Sequence, residues 1–189
     1  MRFNDHSDLE GKHAFLSASK YSWLNYDEDK LTNSYHTARA TQRGTELHEF
    51  AAEAIRLGIR LPKTRETLNM YVNDAIGFRM QPEKVLYFSD NAFGTADAIS
   101  FRKTKGRYLL RIHDLKTGVT KASFSQLLIY TAFFCHEYNF KPHEIDVELR
   151  IYQNNAIEIL VPEVPDIVRV YEHLKWSNEI ISNLKAGDD

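Results

Sequence analysis

Cysteine is almost missing from this chain. A single residue of that type, Cys135, stands among 189, so the chain alone can build no internal disulfide, no cysteine zinc site and no four-cysteine iron-sulfur cluster. Any metal must be held by oxygen and imidazole. Long apolar runs are missing too: the longest stretches, such as Leu127 to Cys135, fall well short of the ~20 residues a membrane-spanning helix needs. The opening Met1-Arg2-Phe3-Asn4-Asp5 lacks the apolar run of a signal peptide. The expected location is therefore cytoplasmic, with no membrane partner. Charge of one sign is also scarce: 24 Lys and Arg against 26 Asp and Glu leave a net charge of −2. Composition alone makes no case for nucleic acid, although a local basic patch can still supply one. Internal repeats and low-complexity segments are absent.

What is present is ordinary globular usage. Apolar residues make up 43% and charged residues 26%, and no segment is polar enough to stay disordered. The length suits a single domain spanning 1–189. Serines ahead of Tyr21, Trp23 and Leu24 predict a short helix over about 18–25. Leu47, Phe50, Ala51, Ala54 and Ile55 recur at three- and four-residue steps, predicting a helix from about Thr37 to Leu57, with Gly58 as its stop. A weaker helical pattern runs from Thr64 to about Met80. β-forming residues then predict strands near 84–89, 94–102 and 108–116, the last two joined by the turn Lys103-Thr104-Lys105-Gly106, as an antiparallel meander. A helix over 123–138, strands over 146–153 and 156–161, and a last helix over about 165–184 complete the order. This order predicts an α/β (α+β) fold, helices packed on a central mixed sheet.

The sharpest local feature is Ile112-His113-Asp114-Leu115-Lys116, where a strand ends by presenting an acid and, two positions later, a lysine to the same side. A carboxylate beside an ammonium can bind a divalent cation while the ammonium orients a water or steadies charge developing on a phosphate. Alone, the tripeptide is more often a solvent-facing ion pair. Upstream, Asp97 interrupts an otherwise apolar strand, where an unpaired charge is costly to bury. If the two strands pair across the 103–106 turn, partners have numbers summing to about 211, which sets Asp97 opposite Asp114. Two carboxylates at one cross-strand position repel unless a cation lies between them. Gln126 and Tyr130, four apart, share a helix face. His48 and Glu49 lie in the long helix, where a lone histidine is more often structural than a ligand.

Taken in order, these segments resemble the RecB-family branch of the PD-(D/E)XK nucleases, which includes CRISPR-adaptation nucleases and phage exonucleases. Leu16-Ser17-Ala18-Ser19 resembles the family's Ser-x-Ser before a helix, Gly44-Thr45-Glu46-Leu47-His48 its Gly-x-x-x-His helix, and Gly94-Thr95-Ala96-Asp97 its Gly-x-x-Asp strand. Asp114-Leu115-Lys116 resembles its acid-x-Lys strand, and Gln126-Leu127-Leu128-Ile129-Tyr130 its Gln-x-x-x-Tyr helix. The resemblance spans about Phe15 to Tyr152. It implies a restriction-endonuclease-like core in which Asp97, Asp114 and Lys116 are catalytic. His48, Asp97, Asp114 and the backbone carbonyl of Leu115 would hold Mg²⁺ or Mn²⁺. Gln126 and Tyr130 would orient Lys116 or contact the DNA backbone, and Glu83 resembles an auxiliary acid of some members, against which a plain surface glutamate is an equal reading. The iron-sulfur members' cysteines are missing, so no iron-sulfur cluster is expected.

The implied function is a metal-dependent deoxyribonuclease, an exonuclease at DNA ends serving phage recombination or DNA repair, in the host cytoplasm if phage-encoded. DNA is the expected partner, with a recombination or single-strand-binding protein beside it. One competing reading is a catalytically weak nucleic-acid-binding module of such an assembly. Another is an interaction protein using some of its 10 tyrosines and 11 phenylalanines.

Overall fold

The computed structural model describes residues 5, 7, 14–104 and 106–188. The turn residue Lys105 and residues 1–4 of the N-terminal reading lie outside them. Two compact units are present, Met1–Glu46 and Leu47–Asp189.

In the first unit, a 3₁₀ helix at Ala18–Asn25 occupies the place of the short helix expected there. It is tied down by the Trp23 indole, which donates to the Ser17 carbonyl at 2.9 Å. The long helix α1, Glu28–Leu57, begins well before Thr37. Its start is set by Asp27, whose side chain accepts from the Lys30 amide at 2.8 Å, as a helix cap does. The first turns are polar and exposed, so no apolar period marks them in the sequence.

The second unit is an α+β fold built on a five-stranded mixed sheet flanked by helices. After α1 and α2 (Thr67–Gly77) come β1 (Gln81–Ser89), β2 (Ala92–Thr104) and β3 (Arg107–Leu115). They are followed by α3 (Ser125–Glu137), β4 (Ile145–Gln153), β5 (Ala156–Leu160) and α4 (Val164–Asp188). The strands lie in the order β1-β2-β3-β4-β5. β1, β2 and β3 form the expected antiparallel meander. β3 pairs with β4 in parallel across the α3 connection, and β4 pairs with β5 antiparallel. A parallel pair needs a long crossover, which α3 supplies.

Two cores result. One joins Leu86, Ile99, Leu110, Ile112 and Leu149 to Leu127 and Phe133 of α3 and Ile167 of α4. The other packs Ala51, Ala54 and Ile55 of α1 and Tyr71, Val72 and Ala75 of α2 against Ala98, Leu115 and Tyr152. Fully burying a Leu or Ile of this kind contributes about 1.5–3 kcal/mol. β1 starts at Gln81, earlier than the composition suggests, and carries Pro82 inside it. An edge strand tolerates this because one row of its amides has no partner to lose.

An irregularity where β1 meets β2 places two acids. Ala96 and Ile99 both lie in the core built with α3, yet residues sharing a face of a regular strand are two apart. The ladder runs from Pro82↔Ala98 to Lys84↔Ala96 and skips the position between. There Glu83 has a φ of 51°, a left-handed conformation a non-glycine residue rarely adopts. The break frees Glu83 and Asp97 from the regular alternation of the sheet.

Candidate metal and phosphodiester site

The register expected from the turn is the one observed: Ala98 pairs with His113 and Thr104 with Arg107, so the next step brings Asp97 opposite Asp114. Asp97 Oδ2 accepts the Leu115 amide at 2.8 Å and lies 3.4 Å from His48 Nδ1. Ligand atoms of His48, Glu83 and Asp97 all fall within 4.8 Å of one another. Glu83 thus stands beside His48 and Asp97 while remaining exposed.

Asp114 is 2% exposed. Lys116 Nζ stands 3.0 Å from its Oδ2, and no donor other than that ammonium reaches the oxygen among the described residues. Lys116 is held from its other side. It donates to Gln126 Oε1 at 2.8 Å, and Gln126 Nε2 donates to the Tyr130 hydroxyl at 3.1 Å. Tyr130 is seated in turn by Gly94: a Cβ built on that glycine would meet Tyr130 Cε1 at 3.0 Å. The glycine of Gly94-x-x-Asp97 therefore makes room for the tyrosine of Gln126-x-x-x-Tyr130. The candidate site residues fall into one connected group.

The electrostatics of the group are unbalanced. Glu83, Asp97 and Asp114 are three carboxylates against the one ammonium of Lys116. Burial, and then the negative charge of Asp114, push the Asp97 carboxyl from its ordinary 3.8 up to about 6, while His48 and the Leu115 amide pull it back. Asp114 is raised as well, by burial first, with Lys116 opposing. Such shifts mean that the charged forms are poorly solvated where they stand.

Sequence reasoning missed Tyr71. It is 2% exposed in α2, and the charges of Asp97, Glu83 and Asp114 add to burial in pushing its phenol upward, so it lies within reach of their field. Only its place in a weakly periodic helix marks it, which would have sufficed to call it core. Also unforeseen was a second polar group beside the first. His113, fully buried, meets the Tyr152 hydroxyl through Nδ1 at 3.2 Å. That hydroxyl donates to Asp74 at 2.8 Å, and Arg150 reaches both Asp74 and Glu148.

No helix among the described residues is long and apolar enough to cross a membrane. Comparison of the chain with family models, with curated proteins and with solved structures returned no match.

Proposed function

We propose that this chain is a metal-dependent deoxyribonuclease of the PD-(D/E)XK type with a restriction-endonuclease-like core, acting as an exonuclease on DNA ends. The observation that carries the reading is the meeting of Asp97 and Asp114 with Lys116, His48 and Glu83 in one connected group. Three carboxylates against one ammonium leave two negative charges, and the buried Asp114 Oδ2 faces only that ammonium among the described residues. That donor set fits a divalent cation. Hard ions such as Mg²⁺ and Mn²⁺ take oxygen-rich ligand sets, and the ligand atoms of His48, Glu83 and Asp97 lie within 4.8 Å of one another.

His48, Asp97, Asp114 and the Leu115 carbonyl would hold the ion, with Glu83 as an added ligand. When bound, such an ion polarises a phosphoryl oxygen and makes water a nucleophile at neutral pH. The chain's own part is positioning. Lys116, fixed between Asp114 and Gln126, presents an ammonium that orients the attacking water and steadies charge on the phosphate. Gln126 and Tyr130 hold Lys116 in place and do not break the bond. A role in phage recombination or DNA repair, beside a single-strand-binding protein, follows from the same reading.

The test is end-labelled linear duplex and single-stranded DNA, with a circular control, incubated with wild type and Lys116→Ala in Mn²⁺, Mg²⁺ or EDTA. A metal-dependent ladder from linear DNA alone, lost in Lys116→Ala, is the expected result. Binding of DNA without cleavage under every metal would replace the nuclease with a nucleic-acid-binding module.

A further inference from the structure

Away from the acidic cluster, the ends of β1 and β2 meet α3 around a pocket of about 300 Å³, at the lower end of the range of small-molecule sites. Its lining holds three cationic side chains, Arg79, Lys84 and Arg102, and no carboxylate. None of the three forms an ion pair among the described residues. In a chain of net charge −2, three neighbouring cations without a counter-charge form a local anion site. Nor are they merely loose surface groups. Arg102 Nη2 donates to the Arg79 carbonyl at 3.0 Å, and Arg79 is held at a φ of 52°, a conformation that residues other than glycine adopt at a cost.

Aromatic side chains complete the lining. Phe134 and Phe140 stack with ring planes 9° apart, and Tyr138 lies against Phe134 with centroids 4.7 Å apart while remaining 42% exposed. An exposed ring on an aromatic base, in one lining with three cations, is the pairing of stacking platform and backbone anchor that nucleic-acid sites use. Gln81 and Ser100 also line the pocket and can donate to or accept from a base edge.

We propose that this pocket binds a nucleoside phosphate, its phosphate held by Arg79, Lys84 and Arg102 and its base laid against Tyr138. Lys84 directly follows Glu83 in β1, and Ile99 lies two residues after Asp97 in β2. On the nuclease reading, on which this part rests, the ligand is a nucleotide of the DNA strand being cut. A free mononucleotide shares the same chemistry.

The experiment titrates deoxyadenosine monophosphate, a short oligodeoxythymidine and inorganic phosphate into wild type, Arg102→Glu and Tyr138→Ala by calorimetry in EDTA, with circular dichroism and melting curves to establish that each variant is folded. Arg102→Glu should weaken binding about tenfold or more, and Tyr138→Ala about five- to tenfold. Binding of the mononucleotide marks a free nucleotide as sufficient, whereas binding of the oligonucleotide alone, sensitive to both variants, marks a nucleotide within a strand. The proposal is overturned if folded variants bind as wild type does, or if inorganic phosphate binds as tightly as either nucleotide ligand. Metal plays no part in this measurement. A chain that cuts DNA yet is indifferent to Arg102 sinks the pocket alone, and one that binds nucleotide here but leaves DNA intact sinks the nuclease alone.

Discussion

Two consecutive residues of β3 enter opposite kinds of polar environment. His113 joins a group in which Asp74 and Glu148 are matched by Arg150 and Arg111, two negative charges against two positive. The Arg111 and Arg150 guanidinium groups also sit over the Phe78 ring, at 4.4 and 4.7 Å from its centroid. Burial, and then these two arginines, drive His113 down from 6.5 to about 3, so it stays neutral and its neighbours are already paired. Asp114 joins a group with three carboxylates and one ammonium. Both groups sit on the same strand and are similarly buried. The difference between them is one of charge: the first matches two carboxylates with two guanidinium groups, although His113 Nε2 is itself buried without a partner among the described residues, whereas the second sets three carboxylates against one ammonium, an imbalance of the kind that marks candidate functional sites.

The comparison is most sharply tested at Asp97. Because its carboxyl is raised to about 6 from 3.8, the folded state binds this proton more tightly than the unfolded chain does. Stability is therefore lost as pH rises through that window and stays lost above it. In EDTA at pH 8, Asp97→Asn should be more stable than wild type, by up to about 3 kcal/mol, with the advantage shrinking as pH falls through 6. Manganese at about 1,000 times its dissociation constant should reverse the order, stabilising wild type by about 4.1 kcal/mol and leaving the variant unmoved. His113 acts with the opposite sign: its contribution is present above 6.5 and is lost as pH falls toward 3. If Asp97→Asn is less stable than wild type in EDTA at every pH, the two groups do not differ as described.

Breaking the charge-balanced group should behave the other way. Asp74→Ala strips partners from Arg150 and the Tyr152 hydroxyl and should cost about 2 kcal/mol, read by denaturant unfolding. Cleavage per folded molecule should be unchanged. A loss of cleavage without a loss of stability would assign this group to the site.

The smallest expected effect links fold to site. Gly94→Ala places a methyl against Tyr130 and should cost about 1 kcal/mol through crowding. It should also slow cleavage through the displaced Tyr130, Gln126 and Lys116. An unaltered rate would show that Lys116 does not depend on this support.

Much of this was legible in the sequence, for identifiable reasons. The two-strand register follows from the position of one turn, whose Gly106 takes a φ of 86°, and that register alone brought Asp97 to Asp114. The spacing of Gln126 and Tyr130 put them on one face of α3, although that they reach Lys116 is a fact of tertiary packing. What stayed hidden has no local sign. Glu83 adopts a left-handed backbone without glycine, so the break that turns it toward Asp97 leaves no trace in composition. The helical start at Glu28 carries no apolar period. Asp74, Arg150 and Tyr152 are far apart in sequence and meet only once β4 has paired with β3.

The most direct test of the account is cleavage of end-labelled linear duplex by wild type and Asp114→Asn, side by side in Mn²⁺ and in EDTA, with melting curves on the same preparations. Asp114→Asn removes a carboxylate that burial disfavours more than the Lys116 ammonium supports it, so it should melt no lower than wild type in EDTA. In Mn²⁺ it should cleave at least about 100-fold more slowly, and wild type in EDTA should be inert. Intact DNA with folded wild type in Mn²⁺, or equal cleavage by the variant, would contradict the account.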